Sequence, residues 1–247
     1  MTYRILVLGC SFSAGYYTVD QHGVENPHSE SGWWSELNPH YQYDVYSFFG
    51  GGYFNYAHLL TQLDTSVYDA VIIQESWEPR VSVYGNTEWL PAQTHDNVTV
   101  YHKQEKNRKL FAVDINNKPF IAADVGLRYQ TEFLSGHSQY LTDLGNNPYV
   151  TNTVYASAAM VAHLLKDLPV FSFGLHNAVD FSPYTDFTQM PFDQAAFNGL
   201  FYTDGHNYQL DTDFCGHFNQ AGTQQFAQLV KAAAEDTRYP PGCHIRF

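Results

Sequence analysis

Short apolar runs along the chain alternate with longer stretches in which apolar residues recur at helical spacing. The apolar runs predict strands at 5–8, 43–49, 70–73, 119–123 and 169–173. The helical spacing predicts helices at 53–63, 150–165 and 218–234. Strands that alternate with helices in this way predict an α/β protein with a parallel sheet covered by helices on both faces.

Two polar stretches interrupt this alternation. Residues 79–117 carry a mixed-charge run at 103–109 and are interpreted as an inserted lid or hairpin. Residues 177–211 are aromatic, are punctuated by Gly and Pro, and are interpreted as a second loop insertion over the same edge of the sheet. The whole chain, 1–247, is predicted to form a single domain with these two insertions.

Polar and small residues follow three of the predicted strands. Ser11 stands in a small-residue turn after the first strand, Gly52 ends a triple glycine after the second, and Gln74 follows the third. Ligands of parallel sheets bind outside the carboxyl ends of the strands, where these residues would emerge. His217 lies just before the last predicted helix, so Ser11 and His217 can form a nucleophile and base pair. The alternative is that both residues only cap helices or line loops.

Composition narrows the classes of partner. The chain has 12 Lys and Arg against 25 Asp and Glu, a formal net charge of −13, which argues against binding to nucleic acid or an anionic membrane. Aromatic residues make up 17% of the chain, which suits a glycan or a protein partner bound through aromatic loops; dense packing of tyrosines is the alternative. No apolar run approaches the roughly 18 residues of a membrane span, and no secretory segment precedes the first strand. The three cysteines lack CxxC spacing and the histidines form no metal-site motif, so no metal is expected.

Two segments carry a resemblance to a known family. Gly9-Cys10-Ser11-Phe12, together with the segment from His217 to Gly222, resembles the SGNH/GDSL hydrolase superfamily, and more closely its phage and bacterial branch, where Gly-Cys-Ser-Phe replaces Gly-Asp-Ser-Leu. The resemblance implies a flavodoxin-like three-layer sandwich with a five-stranded parallel sheet. It also implies cofactor-free hydrolysis of acyl esters, with Ser11 as nucleophile and His217 as base. A cytoplasmic or virion-associated location is expected.

The orienting acid is less closely matched. The resemblance implies an acid three positions before the histidine, where this chain has Phe214. Asp213 is therefore predicted to take that role, with Asp211 as the alternative acid. Asp204-Gly-His206 is a rival acid and histidine pair.

The predicted oxyanion hole departs furthest from the family pattern. Its donors are predicted to be the N–H groups of Ser11 and of Gly52 (or Gly51) and the side chain of Gln74. The family's asparagine falls on Glu78, whose carboxylate would repel an oxyanion. Candidate substrate contacts are Trp77, Glu78 and Arg80.

These residues predict a serine esterase or deacetylase that hydrolyses an O-acyl ester of a small molecule or a carbohydrate through an acyl-enzyme on Ser11. The alternative is a catalytically degenerate protein of the same fold that serves as a binding or virion-associated structural component. The carboxylate of Glu78 and the displaced Asp213 favour that alternative.

Overall fold

The structure is a computed structural model that describes residues 2–19, 21, 25–48, 51–75, 80–82, 86–89, 92–106, 109–113, 119–123, 148–175, 180–202 and 217–247. Its strands are β1 (Arg4–Cys10), β2 (Tyr16–Val19), β3 (Glu25–His28), β4 (Gln42–Phe48), β5 (Ala70–Glu75), β6 (Arg80–Ser82), β7 (Asn86–Trp89), β8 (Gln93–His95), β9 (Val98–Lys106), β10 (Lys109–Val113), β11 (Pro119–Ala123), β12 (Val170–Gly174) and β13 (Thr188–Gln189). The α-helices are α1 (Tyr53–Leu60), α2 (Pro148–Leu164), α3 (Gln194–Tyr202) and α4 (Gln220–Glu235). Short 3-10 helices span Ser11–Ser13, Trp33–Glu36 and Thr65–Val67.

The main sheet is mixed but mostly parallel. It has eight strands in the order β13-β12-β5-β1-β4-β9-β7, with β8 also paired to β9. Every neighbouring pair from β13 to β9 is parallel, whereas β7 and β8 run antiparallel to β9. The prediction of an α/β fold with a parallel sheet is therefore confirmed in its coarse form, and four of the five predicted strands form the centre of that sheet, β4-β1-β5-β12.

Two details of the predicted sheet are wrong. The predicted strand at 119–123 exists as β11, but it pairs with β10 in a separate antiparallel sheet of three strands, β11-β10-β6. The segment 79–117 is more than a lid or hairpin, because its strand β9 joins the main sheet beside β4. The main sheet consequently has eight strands where five were predicted.

The predicted helices are confirmed, with boundaries that move by a few residues. Helices α1, α2 and α4 correspond to the predictions at 53–63, 150–165 and 218–234. The second predicted insertion, 177–211, is not wholly a loop, since it contributes β13 to the edge of the main sheet and also forms α3.

Helical segments cover both faces of the sheet. One face packs against Trp33–Glu36, α3 and α4 through a core that includes Ile5, Val7, Trp33, Phe197 and Phe226. The other face packs against α1 and α2 through Leu6, Leu8, Tyr56, Ala158 and Val161. Because successive residues of β1 alternate between these two cores, the strand is buried on both sides. Within the described part of the chain, none of the helices has the length and apolar character needed to cross a bilayer.

Candidate functional site

Ser11 lies immediately beyond the carboxyl end of the central strand β1. It is the first residue of the 3-10 turn Ser11–Ser13, and it is buried. The first N–H groups of such a turn have no acceptor within the turn itself. The neighbouring strands β4 and β5 end at the same edge of the sheet, so residues 51–52 and Gln74 approach this edge as predicted.

His217 approaches Ser11 from the other end of the chain. The residue precedes α4, whose first turn is capped by Asn219, with the side chain Oδ1 accepting the N–H of Gly222 at 3.0 Å. The distance from His217 Nε2 to Ser11 Oγ is 2.8 Å, and both side chains are buried. The structure therefore brings the predicted nucleophile and base, 206 positions apart, into hydrogen-bond contact. This distance is suitable for proton transfer from a hydroxyl to an imidazole.

Aromatic rings enclose the imidazole. The ring of Tyr17 is stacked on it, with centroids 4.1 Å apart and an interplanar angle of 14°. The ring of Phe12 contacts it at 5.5 Å with a tilt of 57°. The Tyr17 hydroxyl also donates a hydrogen bond to the main-chain oxygen of Ser11 at 2.9 Å. Tyr17 was missed from the sequence, where its place after the Ser11 turn has no distinguishing motif.

Ser13 anchors the turn that carries Ser11 through hydrogen bonds to neighbouring side chains. The Ser13 hydroxyl donates to Gln74 Oε1 at 2.7 Å and accepts the indole N–H of Trp33 at 2.9 Å. The main-chain oxygen of Ser13 accepts the indole N–H of Trp34 at 3.1 Å. All four side chains are buried, so this hydrogen-bonded group fixes the turn relative to β5 and the helix at Trp33–Glu36.

Gln74, a predicted oxyanion donor, is engaged within this support. Its Nε2 lies 3.1 Å from Cys10 Sγ, while its Oε1 accepts from Ser13. The carboxamide thus joins β5 to the Ser11 turn. These contacts give Gln74 a direct role in holding the Ser11 turn.

Gly52, the second predicted oxyanion donor, begins helix α1. Its N–H donates to Oδ1 of Asn55 at 3.2 Å, in a buried capping interaction. The preceding Gly51 donates its N–H to the main-chain oxygen of Phe48 at 2.9 Å. In this structure both glycine N–H groups therefore have acceptors within their own turn.

Glu75 is a buried carboxyl at the same edge that the sequence did not single out. Its Oε1 accepts a hydrogen bond from the Tyr53 hydroxyl at 2.8 Å. Burial raises the pKa of the Glu75 carboxyl, and hydrogen bonds from Tyr53 and Ser172 oppose that rise. Gln74 and Glu75 are consecutive strand residues, so their side chains point to opposite faces and only Gln74 meets the Ser11 turn.

Several predicted site residues lie outside the described residues. They are the acids Asp211 and Asp213, the rival pair Asp204 and His206, and the substrate-contact candidates Trp77 and Glu78. Arg80 is described only through its backbone, which pairs with Ala112 in the small antiparallel sheet. Their predicted roles remain predictions.

Metal chemistry and relationships to known proteins add no further residue to the site. Among the residues that the structure describes, no group of three or more His, Cys, Asp or Glu side chains is arranged to hold a metal ion. No protein-family model, no curated protein and no solved structure matches this chain at a significant level.

Proposed function

We propose that this chain is a serine esterase or deacetylase of the SGNH type, which hydrolyses an O-acyl ester of a small molecule or a carbohydrate. The observation that carries the proposal is the 2.8 Å contact between His217 Nε2 and Ser11 Oγ. A hydroxyl beside an imidazole at the carboxyl end of a central strand is the arrangement that an activated serine requires.

The strand order supports the finer fold assignment. Apart from β9, which is also parallel and lies outside β4, the parallel strands β1, β4, β5, β12 and β13 follow in chain order the spatial series 2-1-3-4-5 of a flavodoxin-like sheet. In such a sheet the chain leaves the first strand in one direction and later returns to its other side, and ligands bind at that switch point. Ser11 follows β1, the strand at this position, and β9 with its partners extends the sheet beyond β4.

The reaction proceeds in two balanced steps. His217 Nε2 takes the proton of Ser11 as Oγ attacks the acyl carbon, and the resulting imidazolium returns the proton to the departing alcohol. Water then attacks the acyl-serine as His217 takes its proton, and the imidazolium returns that proton to Ser11 Oγ as the ester bond breaks, which releases the carboxylic acid and free Ser11. The N–H groups at the start of the Ser11–Ser13 turn are the proposed donors to the developing oxyanion. Asp213, with Asp211 as the alternative, remains the proposed orienting acid.

The proposal is tested by labelling with a fluorophosphonate probe, which reacts with activated serines. We expect the wild-type protein to be labelled stoichiometrically and Ser11→Ala not at all. We expect His217→Ala to react about 10⁴- to 10⁶-fold more slowly, because a triad-type base acts as a unit with its nucleophile.

Ser47→Ala is the matched control for this experiment. Ser47 is also buried near the same edge, where its hydroxyl donates to the main-chain oxygen of Cys10 at 3.0 Å, but it has no proposed chemical role. Labelling of Ser47→Ala should equal that of the wild type. A folded wild-type protein that resists the probe, or equal labelling of Ser11→Ala, would contradict the proposal. Labelling confined to Ser11 would be followed by a screen of acetylated sugars and simple acyl esters.

A second candidate function is favoured because two of the three predicted oxyanion donors are bound within the protein. The Gly52 N–H is bound to Asn55 and the Gln74 carboxamide to Cys10 and Ser13, so neither is aimed at a substrate in this structure. A non-catalytic protein that binds glycans or a protein partner needs no oxyanion hole. For that function, glycan binding would survive Ser11→Ala, and the wild-type protein would not be labelled.

A further inference from the structure

Three separate contacts place Tyr17 between the two ends of the chain that form the site. Its ring is stacked on the His217 imidazole, its hydroxyl donates to the main-chain oxygen of Ser11, and its N–H donates to the main-chain oxygen of Phe218 at 2.9 Å. The side chain is buried, with 2% of its surface exposed. One residue of the hairpin formed by β2 and β3 therefore contacts the nucleophile segment and the histidine segment together.

We propose that Tyr17 is a positioning residue for the reaction proposed above, acting through its ring on His217 and through its hydroxyl on the Ser11 turn. The inference rests on the proposed function. A ring stacked at 4.1 Å, nearly parallel to the imidazole, restricts rotation of that imidazole out of its plane. Nε2 is thereby kept in line with Ser11 Oγ.

The stacked ring also has an electrostatic consequence. The imidazole becomes a cation when it accepts the Ser11 proton, and the face of a phenol ring attracts a cation. The attraction is present in the imidazolium that forms as Ser11 or water attacks, and it is weaker for the neutral ring that precedes the attack. Interactions of this kind in buried sites correspond to about 5- to 30-fold in an equilibrium or rate.

Other described residues also contact the imidazole. Phe12 contacts the imidazole but is uncharged, and the Ser11 hydroxyl is the partner of Nε2. The phenol of Tyr17 is the titratable side chain stacked on the ring, and the candidate acids Asp211 and Asp213 lie outside the described residues. The substitutions tested below therefore change the Tyr17 ring and leave the sequence of the candidate acids unchanged.

The test compares three variants by the rate of fluorophosphonate labelling at Ser11. Tyr17→Phe keeps the stacked ring and loses the hydroxyl, so we expect a rate within about threefold of wild type. Tyr17→Met fills a similar volume without an aromatic face, and we expect labelling to slow about 5- to 30-fold. Tyr16→Met is the matched control: Tyr16 is the neighbouring residue of β2 and stacks on His28 at 4.7 Å and 8°, outside the proposed site, so its rate should not change.

A spectroscopic readout separates positioning from a loss of stability. In the wild type, the Tyr17 ring current should shift the His217 ring protons upfield in the proton NMR spectrum. The shift should persist in Tyr17→Phe and decrease in Tyr17→Met, where the Phe12 ring still contacts the imidazole. An undiminished shift in Tyr17→Met, or the absence of a shift from the wild type, would overturn the stacked arrangement independently of any activity.

The remaining outcomes distinguish this inference from the proposed function. If the wild type is labelled and Tyr17→Met is labelled at the same rate, the positioning role is overturned and the hydrolase proposal stands. A Tyr17→Phe rate as slow as that of Tyr17→Met also overturns the role of the ring, because the hydroxyl would then carry the effect. An unlabelled wild type overturns the proposed function, and the inference falls with it.

Discussion

The two ends of strand β1 both bury polar side chains, but they do so differently. At the start of the strand, the Asp44 carboxylate accepts hydrogen bonds from Arg4 Nε at 3.0 Å, Arg4 Nη2 at 2.6 Å and the Tyr68 hydroxyl at 2.9 Å. Beyond its end, the Ser11 hydroxyl faces the ring nitrogen of His217. The first group is a carboxylate surrounded by fixed donors, whereas the second is a pair between which a proton can move. Burial therefore stabilises the fold at one end and, under the proposed function, serves chemistry at the other.

The pKa of Tyr68 supports this view of the first group. Burial, followed by the neighbouring Tyr46 and the Asp44 carboxylate, raises the pKa of the Tyr68 phenol. The hydroxyl consequently remains a donor to Asp44 over the whole range in which the protein is handled. Arg4 is 37% exposed, so water screens part of its attraction to Asp44.

Asp44→Ala should give the largest loss of stability and should leave the site intact. The substitution leaves a buried phenol and a half-buried guanidinium without their shared acceptor, which we expect to lower the free energy of unfolding by about 2–3 kcal/mol. Labelling of Ser11, normalised to folded protein, should remain at the wild-type rate. Urea denaturation and probe labelling of the same samples measure the two effects.

Asp69→Ala is the control at the same end of the strand. Asp69 is exposed and accepts only the Arg4 main-chain N–H among the contacts described, at 2.7 Å, so we expect a loss of about 1 kcal/mol or less. Equal losses for the two variants would show that burial of Asp44 adds nothing. Slower labelling of Asp44→Ala would show that the two ends of β1 are coupled.

Gly9→Ala differs from Asp44→Ala in that it should slow the chemistry at Ser11 as well as lower stability. A Cβ at position 9 would lie 1.9 Å from Ser13 Oγ and 2.5 Å from Ser13 Cβ, and Ser13 cannot rotate away without losing Gln74 and Trp33. We expect a loss of about 1–3 kcal/mol in stability from overpacking. Displacement of the Ser11 turn should slow labelling about 100-fold.

Gly199→Ala provides the matched control for that substitution. A Cβ at Gly199, in α3, would meet no atom within 4 Å. Alanine is favoured over glycine inside a helix, so stability should stay the same or rise by up to about 1 kcal/mol. Gly9→Ala protein that is labelled at the wild-type rate would mean that the turn tolerates the displacement.

The central strands and the positions of Ser11 and His217 were predictable from the sequence because their signals are local. Buried parallel strands require apolar residues on both faces, so β1 and β5 stand out as short apolar runs. A serine after the first strand and a histidine before the last helix then follow from topology, because the ends of adjacent parallel strands share one edge.

The parts that were not predictable depend on pairing and on side-chain direction. β9 buries Val98 and Val100 but continues through a polar sequence, because a strand near the edge of a sheet does not need apolar residues along its whole length. The β11 strand has an apolar pattern that does not specify whether its partner is β10 or the main sheet. Tyr17 meets His217 only through the tertiary fold, and the orientation of Gln74 toward Cys10 has no sequence signal at all.

Glu75→Gln has the smallest expected effect. Glu75 is a buried carboxyl, as Asp44 is, but it lies at the edge of the sheet where Ser11 and His217 meet. Because burial raises the pKa of Glu75, the folded carboxyl binds a proton more tightly than the unfolded one. Wild-type stability should therefore fall as the pH rises from the ordinary value of about 4.5 through the raised pKa. Glutamine keeps an acceptor for Tyr53 without a charge, so the variant should lie within about 0.5 kcal/mol of wild type at pH 4.5 and become relatively more stable as the pH rises.

Urea denaturation of both proteins at pH 4.5 and pH 7 measures this difference. Glu36→Gln is the control, because the Glu36 side chain is 38% exposed and its ion pair with Lys231, at 3.9 Å, is a surface pair that contributes little. A Glu75→Gln variant that loses stability in parallel with wild type between the two pH values would show that Glu75 is not the group responsible. Labelling of Ser11 should be unchanged in the variant, since Glu75 points to the face of β5 opposite the Ser11 turn. A change in labelling would instead place Glu75 with the chemistry at the carboxyl end of the sheet.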